Sequence, residues 1–165
     1  MGHVEDLRDA ILHDCEIAIH LHGKLPPGSA DYRPSPAQRS TTELLRYLAG
    51  CGIGSALAMR DGSWKGYEDA MDRVAEMPAA GFPDAMRRQK EEIRELLAGL
   101  TDADLATRTA TLPWGEVVSL GRGLTETTLK WLTAYRMQLF LYAKASGATE
   151  IGTANNWAGV DHRPR

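Results

Sequence analysis

Cysteine is scarce in this chain. Of 165 residues only Cys15 and Cys51 carry thiols, which excludes a disulfide framework, and their separation excludes a CxxC motif. Both fall on apolar helical faces and read as reduced core residues of a cytoplasmic protein. Long apolar runs are missing as well: no stretch approaches the roughly 20 residues that span a bilayer, and the opening MGHVEDLRD is too polar for a secretory signal. No membrane partner is expected. A basic surplus is also lacking. Nineteen Lys and Arg against 22 Asp and Glu leave a net charge of −3, and the clusters Arg87-Arg88 and Arg163-Pro164-Arg165 are short, so nucleic acid is not an expected partner. There is no GxSxG elbow. GCGIG at 50–54 lacks both the GxGxxG spacing and a preceding strand, and Cys51 has no evident histidine partner. These gaps set aside acyl hydrolysis, nucleotide loops and Cys–His chemistry.

What is present is helix. Leu124 to Ser146 holds 23 residues without Gly or Pro, enough for six turns. Leu124, Thr128, Trp131, Tyr135, Gln138 and Tyr142 share one face, while Leu129, Met137, Phe140 and Leu141 lie towards the other. A helix apolar nearly all round is expected to be central and covered on both sides. The first helix reads as Val4 to His22, with Gly23 as its stop. Its apolar face carries Val4, Leu7, Ile11, Cys15, Ala18 and Ile19; His13 and His20 point away into solvent, and His22 lies near the middle of that face, read first as a histidine bonding a loop carbonyl.

Four prolines make residues 23–39 an irregular connection across one end of a bundle, with Arg33 and Arg39 read as surface charges. Ser40 and Glu43 then form a capping box for a second helix running to Met59. Gly50, Gly52 and Gly54 inside it cost about 1 kcal/mol each against Ala, which implies close approach of a neighbour. A short helix is expected from Tyr67 to Met77. An amphipathic one follows from Pro83-Asp84 to Gly99, with Met86, Gln89, Ile93, Leu96, Leu97 and Leu100 inward. Residues 107–111 and Val117-Val118 look extended around a Pro113-Trp114-Gly115 turn. Beyond Gly147, Trp157 and Val160 are expected to anchor a tail on the bundle or on a partner.

The order of these parts, with RPSPAQRSTTELLRYL leading into the second helix and YRMQLFLYAKASG in the last, resembles the DinB-like superfamily along essentially the whole chain. The resemblance implies an all-α fold: an up-down-down-up four-helix bundle forming a single domain over 1–165, with a short extra helix, a small extended excursion before the last long helix and a C-terminal tail within 143–165. It implies a homodimer, here through the last long helix. Many members of the superfamily bind a divalent metal through one histidine on the second helix and an HxxxH pair on the last, and some are thiol-cofactor-dependent transferases or isomerases. The matching positions here are Tyr47, Trp131 and Tyr135, with Gln138 three residues further on. Trp cannot ligate a metal, and neutral phenols are poor ligands for zinc or nickel. No cofactor is therefore expected. Two readings of the four positions stand side by side: rings filling a vacated cavity, their polar atoms bonded to Gln138 or water, or a residual aromatic pocket for a small organic ligand. The alternative is a metal- or thiol-dependent enzyme with relocated ligands, with His22, Asp14 and Glu43 as candidates.

Overall fold

The computed structural model describes residues 2–161; the basic Arg163-Pro164-Arg165 lies outside them. Helix α1 (His3–His22) starts where the Glu5 carboxylate accepts from the Gly2 N–H at 3.0 Å. Helix α2 (Thr41–Asp61) starts on the expected box, Ser40 Oγ accepting from Glu43 N and Glu43 accepting from Ser40 N. It continues two residues past Met59 and stops at Gly62, whose φ of 69° ends the helix in the left-handed region. Helix α4 (Phe82–Ala98) follows its predicted span closely. All six residues expected on its inner face are buried. Helix α7 (Lys130–Ala145) is the fourth long element. Both α1 and α2 pack on α4 and on α7, so the four enclose one core of Ile11, Leu44, Leu48, Met86, Ile93, Leu132 and Leu139, each almost fully buried. Cys15 and Cys51 sit in it as free thiols, and burial pushes the Cys15 thiol up to about 12, an inert protonated state.

The glycines of α2 do let neighbours come close. A Cβ on Gly52 would meet Leu132 Cδ1 at 3.0 Å, and one on Gly54 would meet the Tyr67 backbone Cα at 3.1 Å. Helix α3 (Lys65–Asp72) thus lies directly on α2. It is shorter than the periodicity predicts: from Met71 to Met77 the chain turns through i→i+3 bonds, Val74 N to Met71 O and Met77 N to Val74 O, a tightening ahead of Pro78. From α4, the Gln89 side chain reaches into mid-α2, Oε1 accepting from Gly52 N at 3.0 Å and Ile53 N at 3.1 Å while Nε2 donates to Leu48 O at 2.9 Å.

Residues 102–107 form a helix, α5 (Asp102–Thr107), where the sequence reading has none. Its signal is a box of the same kind as that of α2, with Thr101 N donating to Asp104 and Asp104 N to Thr101. The excursion that follows is an antiparallel hairpin, β1 (Thr109–Thr111) paired with β2 (Val117–Ser119), Ala110 opposite Val118.

The last helix differs from its predicted form in two ways. It begins earlier, as α6 (Leu120–Leu124) capped by Ser119 Oγ on Arg122 N, and passes through one wide π turn at Thr125–Leu129 before α7. The cause is the threonine run. The Thr125 and Thr127 hydroxyls donate back to the carbonyls of Gly121 and Gly123, which loosens the regular ladder. Thr128 is turned into the core against Ser55 Oγ at 3.0 Å. Nor is α7 covered all round: Leu141 is 55% exposed, and Met137 and Phe140 are half-buried. The tail forms α8 (Thr153–Ala158) and packs on α1 and α7, but its expected anchors are not what buries it on the bundle. Trp157 and Val160 are exposed; Ala148, Ile151, Asn155 and Asn156 are the buried residues, since the tail docks through amide hydrogen bonds.

That docking also corrects the reading of His20, which the tail covers in place of solvent. Asn155 Nδ2 donates to His20 Nε2 at 3.0 Å and to Asp161 at 2.9 Å, while Asn155 Oδ1 accepts from Gly152 N. Lys24 pairs with Asp161 at 2.8 Å. Burial holds the His20 imidazole below its ordinary 6.5, the Asp161 carboxylate and Lys24 ammonium acting on it in opposite directions. A depressed histidine leaves the unfolded chain binding the proton more tightly, so this contribution is present above pH 6.5 and lost as pH falls below it. Asp161, lowered chiefly by Lys24, adds a loss only below the ordinary 3.8. Amide exchange in α8 is therefore expected to speed up between pH 7.5 and pH 5.5 after correction for intrinsic rates, and in a His20→Gln variant this pH step is expected to vanish.

Candidate functional site

The four positions singled out in the sequence sit on α2 and α7, which face one another across the core. Tyr47 and Tyr135 touch, ring centroids 4.5 Å apart and planes tilted by 59°. Trp131, one turn before Tyr135, is joined to them through a residue the sequence reading left out: Tyr67 of α3 meets Trp131 edge-on at 6.2 Å and Trp64 at 5.4 Å. The helical spacing of Trp64, Tyr67 and Met71 was the signal for it, and the glycine at 54 brings it in. Tyr47, Tyr67, Trp131 and Tyr135 are all half-buried, so each keeps part of its surface in solvent.

A second residue enters from the connection. The Arg39 guanidinium carbon lies 4.3 Å from the Tyr47 ring centre and 5.6 Å from that of Tyr135, a cation–π arrangement. Arg39 precedes the α2 cap residue Ser40 directly, so the capping box fixes where its side chain starts. Its carbonyl accepts from the Tyr142 hydroxyl at 2.9 Å, and that hydroxyl accepts from Gln138 Nε2 at 2.7 Å. Gln138 thus serves Tyr142 and the base of Arg39, which leaves water, the other partner that one of the two readings allowed, for the polar atoms of the three rings. The Trp131 indole N–H and the Tyr135 hydroxyl find no partner among the described residues and keep access to water.

Burial, first, and then the Cys51 thiol and Tyr67 hydroxyl nearby push the Tyr47 phenol far up; burial raises Tyr67 too. These phenols stay protonated at any physiological pH. They serve as hydrogen-bonding groups and ring faces, and they do not fit a divalent metal, which takes deprotonated or imidazole donors. Among the described residues no group of three or more His, Cys, Asp and Glu is arranged to hold a metal ion.

The three relocated-ligand candidates are engaged separately. His22 Nε2 bonds Ala79 O at 2.9 Å beside Phe82, as its first reading expected. Glu43 caps α2 and pairs with Arg33 at 3.2 Å. Asp14 is buried and accepts from Arg136 Nε and from the Thr133 hydroxyl.

No family model matches the sequence, and no curated protein matches it. Solved structures do. The DinB-like protein YjoA of Bacillus subtilis superposes with a TM-score of 0.71 at 18% identity, over 90% of this chain and 96% of that one. A candidate member of the DinB family from Exiguobacterium sibiricum gives 0.69 at 20%, over 94% of this chain and 98% of that one. The protein has the DinB-like all-α fold. Among the described residues no helix is long and apolar enough to cross a membrane.

Proposed function

We propose that this is a DinB-like binding protein in which the superfamily's metal position has been given over to aromatic rings, and that the ring cluster takes a small organic ligand in place of a metal ion. The observation that carries this reading is the half-buried Tyr47–Tyr135 contact with Trp131 one turn away, the Trp131 N–H and Tyr135 hydroxyl having no hydrogen-bond partner among the described residues. Apolar walls with a few convergent polar groups suit a flat organic molecule. Titration with flat aromatic probes at millimolar concentration is expected to quench tryptophan fluorescence saturably, and Trp131→Phe to remove that quench while Trp64, Trp114 and Trp157 remain. A panel producing no saturable change in a folded protein would contradict the reading.

We also propose a homodimer, which the outer stripe of α7 supports. Ala134, Met137, Leu141 and Ala145 follow one another on that face and line a groove of about 480 Å³ with Tyr32 and Pro34. Small residues flank an exposed Leu141, and a two-fold dimer through α7 would set this stripe against its own copy. Leu141→Glu is expected to halve the sedimenting mass at about 50 µM protein; a wild-type chain already monomeric there would exclude this interface.

A further inference from the structure

We infer that the ligand of the aromatic cluster is an organic anion, a flat apolar body carrying a carboxylate or similarly forked oxyanion, and that Arg39 is its anchor. This rests on the ligand-binding reading of the cluster and adds the ligand's charge.

Arg39 is exposed at its end, yet its guanidinium is not free to roam, because it lies over two rings that belong to different helices. Its backbone is tied to α7 through the Gln138–Tyr142 relay. Among the described residues the other arginines of this region are engaged, Arg33 with Glu43 and Arg46 with the carbonyl of Met77. Among the described residues Arg39 has no carboxylate partner and gives none of its five N–H groups to a protein acceptor. A guanidinium held over ring faces by its central carbon keeps its N–H groups for other acceptors, in the fork that matches two oxyanion oxygens. The neighbouring start of α2 does not compete for the anion, since Ser40 and Glu43 already cap it and Thr41 N donates to Tyr32 O. An anion on the Arg39 fork would place its body along the exposed parts of Tyr47, Tyr135 and Trp131. The Trp131 N–H and Tyr135 hydroxyl are then available to its remaining acceptors. The Gln138 amide and Tyr142 hydroxyl act as positioning groups, holding the arginine rather than the ligand.

Two probes of one outline separate charge from shape: 2-naphthoate and the neutral 2-naphthamide, each titrated calorimetrically against the full chain. The naphthoate is expected to bind the wild type more tightly, to weaken about tenfold in Arg39→Ala, and to weaken as salt rises from 50 to 500 mM. Arg39→Lys is expected to fall between the two, keeping the charge without the fork. The naphthamide is expected to change little in either variant or with salt. Equal binding of both probes, with Arg39→Ala without effect on the naphthoate, would overturn the anchor and leave the aromatic pocket standing. Failure of both probes to bind would overturn the pocket itself and this inference with it.

Discussion

Asp14→Ala is expected to cost about 3–5 kcal/mol of unfolding free energy, the cost of stranding a buried charge. Asp14 and Arg136 are 5% and 3% exposed, and their pair ties α1 to α7. Arg136 then passes the tie onward: Nη1 donates to the carbonyl of Asn156 and, at 3.0 Å, to its side-chain oxygen, and the guanidinium lies 4.9 Å from the Trp157 ring centre. Three helices therefore meet at one ion pair. Deleting the carboxylate leaves the guanidinium with neutral partners and no counter-charge. Removing both charges is a different matter, because two apolar side chains of similar volume need no desolvation. Asp14→Leu combined with Arg136→Met is expected to recover most of the loss, and urea unfolding of the single and double variants checks it. A double variant as unstable as Asp14→Ala would show that the cost lies in packing and not in the stranded charge.

The second large effect is expected at Gly54. A valine there carries a Cβ to 2.8 Å from Tyr67 Cδ2 and 3.1 Å from its Cα. The side-chain atom can swing aside, but the backbone atom cannot, so α3 must shift. Overpacking of this kind costs about 1–3 kcal/mol, and here it also draws Tyr67 away from Trp131. Gly54→Val is therefore expected to lower the melting temperature and to weaken probe binding at the ring cluster, whereas a stability loss of the same size far from the cluster leaves binding intact. Gly54→Ala is the sharper control. In an open helix it gains about 1 kcal/mol of propensity; a variant that showed that full gain would mean α3 does not press on α2.

The bundle was legible because its signals are local and strong. The Ser40–Glu43 box, the Pro83 start and the inner face of α4 each stand in a single window of sequence. The box at Thr101–Asp104 was equally local, but six residues of helix give too little apolar periodicity to register. The π turn was hidden for another reason. Back-bonding by Thr125 and Thr127 shifts the phase of a helix whose residue types still fit a regular one. The Asp14–Arg136 pair was not legible, and Asp14 stood only as a candidate ligand, because a charged residue beside an apolar face shows no partner in its own window and this partner is 122 residues away. At the candidate site, Tyr47, Trp131 and Tyr135 came from their match to superfamily metal positions, and α2 and α7 place Tyr47 against Tyr135. Tyr67 and Arg39 arrive from other elements, through a helix admitted by a glycine and a loop residue fixed by a cap, and no spacing rule links them to the other three.

The central claim is that rings and a guanidinium stand where the superfamily's resemblance implies a metal. The most direct measurement is metal analysis of protein purified without an affinity tag, paired with thermal unfolding in added Zn²⁺, Ni²⁺ and Mn²⁺. The expected result is far less than one equivalent of any metal and a melting temperature indifferent to all three. One tightly bound equivalent, with melting raised on its addition, would contradict the claim.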